Sequence, residues 1–177
     1  PTDVGPVIDK AAKQVLDEHK EWIKTQGRVI RELKAPPEFD HGTYVTPLAV
    51  ELPSLDILKR EVFGPVLHVI RFKAADLDKI IDSINRTGYG LTLGVHSRID
   101  SQAQYIQRRI RVGNVYINRN MIGAVVGVQP FGGQGLSGTG PKAGGPHYMH
   151  RFATERTVTI NTAAVGGNAT LLSLGDE

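Results

Sequence analysis

Between residues 66 and 118 the hydrophobic period switches back and forth, and this alternation restricts the chain to few architectures. Residues 66–72 are rich in β-branched side chains and read as a strand. Leu77, Ile80, Ile81 and Ile84 then fall on one face of a helix. Residues 91–96 return to strand character after Gly88 and Gly90. Residues 101–109 read as a helix capped by Asp100 or Ser101, and residues 113–118 as another strand. Strand, helix, strand, helix, strand predicts an α/β layered domain with a buried sheet. The crossovers are long enough for parallel pairing without requiring it.

The flanking segments are less regular. Residues 9–26 predict a helix with Ala12, Val15, Leu16, Trp22 and Ile23 on its apolar face and Gly27 as its stop. Residues 28–33 read as a short strand ahead of Pro36-Pro37. Residues 41–47 read as a strand approaching a turn, and 48–52 as the continuation of that edge, ended by Pro53. Ser54 or Asp56 is placed to cap a short helical turn. Residues 121–145 have no period and are dense in glycine, which marks a long loop of the kind that carries function. Residues 157–161 predict a late strand, followed by a tail.

The residue inventory removes several chemistries. With no cysteine, the chain can form no disulfide and supplies no thiolate as nucleophile or metal ligand. Arg108, Arg109 and Arg111 lack an accompanying aromatic platform or basic stripe, so they read as a solvated face or a charge network and no nucleic-acid binding is expected. His147 and His150 could share a helical face, but no third ligand is suggested and no metal site is expected. His68 lies in a strand and reads as a structural histidine with its hydrogen bonds satisfied. Gly132-Gly133-x-Gly135 lacks the lysine and hydroxyl residue of a phosphate loop. No signal peptide is visible, and no apolar run approaches the ~18 residues of a membrane span.

Several stretches, in order, resemble the aldehyde dehydrogenase superfamily: Asp3-Val4-Gly5-Pro6-Val7-Ile8, Glu61-Val62-Phe63-Gly64-Pro65-Val66, and Asn85-x-x-x-Tyr89-Gly90-Leu91. Gly113-Asn114-Val115-Tyr116-Ile117-Asn118 and Pro130-Phe131-Gly132-Gly133 with Ser137-Gly138 complete the series. Residues 119–129 and 161–168 narrow the resemblance to the dehydrogenase half of the bacterial proline utilization family. It implies the C-terminal portion of an aldehyde dehydrogenase catalytic domain, a layered αβα sheet ending in an oligomerisation strand or arm. Residues 1–156 would be the partial catalytic domain and 157–177 the oligomerisation strand and tail.

The function implied is that of a fragment of an NAD-dependent enzyme oxidising L-glutamate γ-semialdehyde to L-glutamate. In such enzymes a cysteine thiolate attacks the aldehyde, hydride leaves to NAD, and the thioester is hydrolysed with help from a general-base glutamate. The cysteine and that glutamate are expected before Pro1, so the isolated chain is expected to be inactive. By the same resemblance, Glu61 accepts hydrogen bonds from the nicotinamide ribose and Phe63 packs near the nicotinamide. Backbone N–H groups of Gly123 and Ala124 anchor the substrate carboxylate, and Phe131 walls the aldehyde site. FAD is expected only in an upstream proline dehydrogenase domain. A homodimer or higher homo-oligomer is expected, in the bacterial cytoplasm, with the whole protein able to lie peripherally on the inner membrane. Another aldehyde or semialdehyde dehydrogenase, or a non-catalytic assembly module derived from one, remains open.

Overall fold

The computed structural model describes residues 4–161. Helix α1 spans Lys10–Gln26, and the Asp9 carboxylate accepts from the Ala12 N–H at 2.7 Å to close its first turn. Leu16 and Ile23 are buried on its inner face, whereas Val15 and Trp22, expected beside them, stand on a half-exposed shoulder. Gly27 ends the helix for a steric reason. Its backbone is extended, and a Cβ there would overlap the Glu51 carbonyl oxygen and press on Leu52.

Strand β1 (Arg28–Glu32) runs antiparallel to β2 (Leu48–Leu52), and β2 runs parallel to β3 (Val66–Ile70) with Leu48 opposite Val66. Residues 48–52 are therefore the central strand of this sheet, not its edge. Leu48, Val50 and Leu52 alternate inward and pack with Ile23 as the main core, lined further by Ile57, Leu58, Val66 and Ile70. The buried Lys20 ammonium donates to Thr46 O at 3.0 Å and Thr46 Oγ1 at 2.8 Å, and pairs with Glu32 at 3.3 Å. That set of partners is what makes burial of the charge tolerable.

Residues 41–47 do not form the expected strand. They follow a short helical turn at Pro37–Phe39 and are tied to the segment before α1, where Thr43 Oγ1 donates to Val7 O at 2.7 Å and Val7 N–H to Thr43 O at 2.9 Å. The capped turn does form at Leu55–Ile57, with Ser54 Oγ accepting from the Asp56 N–H.

Helix α2 (Leu77–Arg86) buries Ile81, which is 1% exposed. Strand β4 (Tyr89–Gly90) follows, then β5 (Thr92–Val95), helix α3 (Asp100–Arg109) and β6 (Asn114–Ile117). β5 and β6 pair in parallel across α3, which is the βαβ unit predicted from the periodicity. Asp100 begins α3 from inside, and Ile99 precedes it without a side-chain cap. Strand β7 (Gln134–Gly135) pairs antiparallel with β4 inside the otherwise irregular glycine-rich stretch.

Two asparagines fasten this half. The Asn85 amide donates to Arg109 O and accepts from the Arg111 N–H, both at 2.9 Å. Asn118, at φ 55°, does the same to Ser97 O and Ser97 N–H, both at 2.9 Å. Arg109 pairs with Asp78 at 2.8 Å and lies over the Tyr105 ring, the charge network expected there.

The architecture is a mixed α/β one in which the strands fall into three sheets among the described residues. Among the described residues, 157–161 form no strand and pair with none of the three sheets. The tail and the larger part of the expected 157–177 arm lie outside the described residues. No helix among the described residues is long and apolar enough to cross a membrane.

Candidate active site

A cleft of about 640 Å³ opens between the segment leading into β3 and the β4–β7 ladder. Leu58, Glu61 and Phe63 line one side; Tyr89, Leu136 and Ser137 line the other. Local packing fixes the first wall. Gly64 lies directly on Leu16 of α1, which is 2% exposed, and a Cβ at Gly64 would fall 2.6 Å from Leu16 Cδ1 and 3.0 Å from Cγ. The glycine is thus set by close approach, and it turns Glu61 and Phe63 outward into the cleft. Pro65 O accepts from the Leu48 N–H at 3.0 Å, joining the turn to the central strand.

Phe63 is 86% exposed. The Glu61 carboxylate makes no ion pair or hydrogen bond with the described residues, so its oxygens face the cleft as unused acceptors. The opposite wall is held by the β4–β7 ladder, with Ser137 Oγ accepting from the Gly90 N–H at 2.9 Å and Leu136 N–H donating to Gly88 O at 2.8 Å.

Gly123, Ala124 and Phe131 do not line this cleft. They belong to a loop hung from β6. Asn114 and Tyr116, two residues apart, share one face of that strand. Tyr116 Oη donates to Gly123 O at 2.6 Å, and the Asn114 amide holds the chain around Phe131. The N–H of Ile122 is taken by Asn120 Oδ1 and that of Val125 by Gln129 Oε1. The N–H groups of Gly123 and Ala124 between them donate to no described residue, and Gly123 adopts φ 66°. Two adjacent free N–H groups form a small concave donor pair suited to an anion.

Sequence reasoning missed the anchoring roles of Asn114, Tyr116 and Lys142. The two-residue spacing of the first pair is a readable signal; nothing in the sequence marks the lysine. The partner of His68 also emerges only in three dimensions. His19 Nε2 lies 3.0 Å from His68 Nε2, so one ring donates and the other accepts. Burial lowers the pKa of both rings, and for His19 the neighbouring His68 and Arg60 lower it further. His147 and His150 sit beside a short helical turn with ring centres 5.7 Å apart.

Comparison with known proteins places the chain in a family. The aldehyde dehydrogenase family pattern matches residues 1–158. The bifunctional protein PutA of Klebsiella aerogenes is 53% identical over 160 residues, covering 88% of this chain and 12% of that protein. A crystal structure of a Bradyrhizobium japonicum proline utilization A variant superposes with a TM-score of 0.83 at 61% identity, over 92% of this chain and 16% of its own. The 1-pyrroline-5-carboxylate dehydrogenase from Thermus with bound NAD gives a TM-score of 0.76 at 38% identity, over 85% of this chain and 29% of that one. The chain thus spans a small part of each relative, and by sequence and fold it belongs to the aldehyde dehydrogenase family.

Proposed function

We propose that this chain is part of an NAD-dependent dehydrogenase that oxidises L-glutamate γ-semialdehyde to L-glutamate. The observation that carries the reading is the cleft on which an unpaired carboxylate, Glu61, and an exposed ring, Phe63, stand together. A carboxylate with two free acceptor oxygens suits a pair of ribose hydroxyls, and an adjacent apolar ring suits a flat nicotinamide. The bound NAD found in the Thermus relative supports the cofactor, and the identity to bifunctional PutA supports the substrate. NAD, when bound, supplies the hydride acceptor. Glu61 orients it and Phe63 limits where its ring lies. The free N–H groups of Gly123 and Ala124 anchor the substrate carboxylate, and Phe131 walls its aliphatic chain.

The 177 residues contain no cysteine, so the thiolate nucleophile comes from outside them, the resemblance places the general-base glutamate with it, and the chain alone does not turn over. Residues 1–156 serve the catalytic domain and 157–177 serve homo-oligomer assembly. The bifunctional relatives extend the proposal to a flavin-dependent proline-oxidising domain in the same cytoplasmic protein, able to meet the inner membrane peripherally.

The test is Glu61→Gln in the full-length enzyme. Replacing a charged acceptor by a neutral one costs about 1–1.5 kcal/mol, so NAD affinity falls about tenfold while the aldehyde KM stays near its starting value. Unchanged NAD affinity would remove Glu61 from the cofactor site.

A further inference from the structure

We propose that Asn114, with its amide reinforced by Lys142, is the positioning residue that sets Phe131 against the substrate's aliphatic chain. The inference rests on the reading of Phe131 as a wall of the aldehyde site. Asn114 is 9% exposed and sits at the start of β6. Its Nδ2 donates to Pro130 O at 3.0 Å, and its Oδ1 accepts from the Gly132 N–H at 3.3 Å. These two atoms are the carbonyl before Phe131 and the N–H after it. The Phe131 N–H and C=O are themselves exchanged with Ala143, both at 3.0 Å. Every main-chain polar group from Pro130 O to Gly132 N is therefore engaged, half by a second loop segment and half by one side chain. Held on both sides, the Phe131 backbone has no freedom to shift its ring.

An asparagine amide can present itself either way round; Pro130 O, which only accepts, and the Gly132 N–H, which only donates, fix one way, and Lys142 reinforces it. Its ammonium donates and cannot accept. It donates to Gly113 O and to Asn114 Oδ1, the latter at 3.3 Å, adding a charged donor to the amide oxygen that already accepts from Gly132 and holding Nδ2 toward Pro130 O. Gly113 lets the loop carrying Phe131 pack close, since a Cβ there would overlap the Gly132 carbonyl oxygen. No buried side-chain nitrogen or oxygen among the described residues lacks a partner, so this grip is complete as built.

Asn114→Asp keeps the shape but turns the donor facing Pro130 O into an acceptor; Lys142→Met keeps the length and removes the reinforcing charge. Both are made in the full-length enzyme, with native Phe131 and with Phe131→Ala. In the native background, kcat/KM for glutamate semialdehyde is expected to fall about tenfold for N114D, and severalfold for K142M with recovery in K142R. NAD affinity stays unchanged. In the F131A background the same substitutions should change kcat/KM less than about twofold, because residues acting through one another are not additive. Equal losses in both backgrounds, or a loss of NAD affinity matching that for the aldehyde, would show a general structural role and overturn the proposal. Should N114D fail to fold, K142M with its arginine rescue decides alone. F131A with unchanged aldehyde kinetics would instead remove the reading of Phe131, and the proposal with it.

Discussion

Gly64→Ala asks whether the cofactor-facing turn is held by its contact with α1. The new methyl would lie 2.6 Å from Leu16 Cδ1 and 3.0 Å from Cγ, and Leu16, 2% exposed, has no open space to rotate into. Overpacking of this kind costs about 1–3 kcal/mol, and the stiffer unfolded chain returns about 0.4–1 kcal/mol, leaving a net loss of ~1–2 kcal/mol. Leu16→Ala alone leaves a hole and costs about 2–5 kcal/mol. In the double variant the alanine methyl enters the space left by the leucine, so the total should undercut the sum by at least about 1 kcal/mol. Urea unfolding of the chain followed by circular dichroism measures this as midpoint shifts at constant slope. Additivity to within about 0.5 kcal/mol would mean that Gly64 and Leu16 do not share the contact, and the account of why glycine stands there would fail.

Gly113→Ala directs a methyl at the main-chain oxygen of Gly132, which cannot swing aside as a leucine tip can. It should destabilise by about 3 kcal/mol or more, with faster proteolytic cleavage in 121–145; a wild-type digestion pattern would contradict this. The His19–His68 pair gives a pH dependence. Both folded pKa values lie below the ordinary imidazole value of about 6.5, so the unfolded state binds more protons as pH falls through that value. The pair's contribution is fully present above it and is lost as pH falls toward the lowered folded values. His68→Gln keeps a hydrogen-bonding partner for His19 with one fewer titrating ring, and should flatten the decline in stability as pH falls below the ordinary imidazole value. An identical slope in the variant would place the acid sensitivity elsewhere.

The βαβ unit was legible because its signals are local: strand-like residues 91–96 and 113–118 flank a helical stretch at 101–109, and parallel strands require a crossover of that length. The rank of residues 48–52 was not, since being central or at an edge depends on where residues 66–70 dock. Residues 41–47 look like a strand by composition, yet they are held by Val7 and not by a sheet. At the site, family motifs pointed to Glu61 and Phe63. Asn114 and Lys142, 28 residues apart, form their bond only after the glycine-rich loop folds back on β6. The meaning of Gly64 likewise lies in a leucine 48 positions earlier.

Asn85, Asn114 and Asn118 each spend one donor and one acceptor on main chain that no strand has paired. An amide carries no net charge and does not titrate. The seams at Asn85 and Asn118 therefore answer neither to acidity nor to ionic strength, whereas that at Asn114 also carries the Lys142 ammonium. Those variables reach the outer ion pairs, such as Arg109 with Asp78, and the two histidines between α1 and β3. A change of medium can loosen those outer contacts while the closures at Asn85 and Asn118 keep their shape.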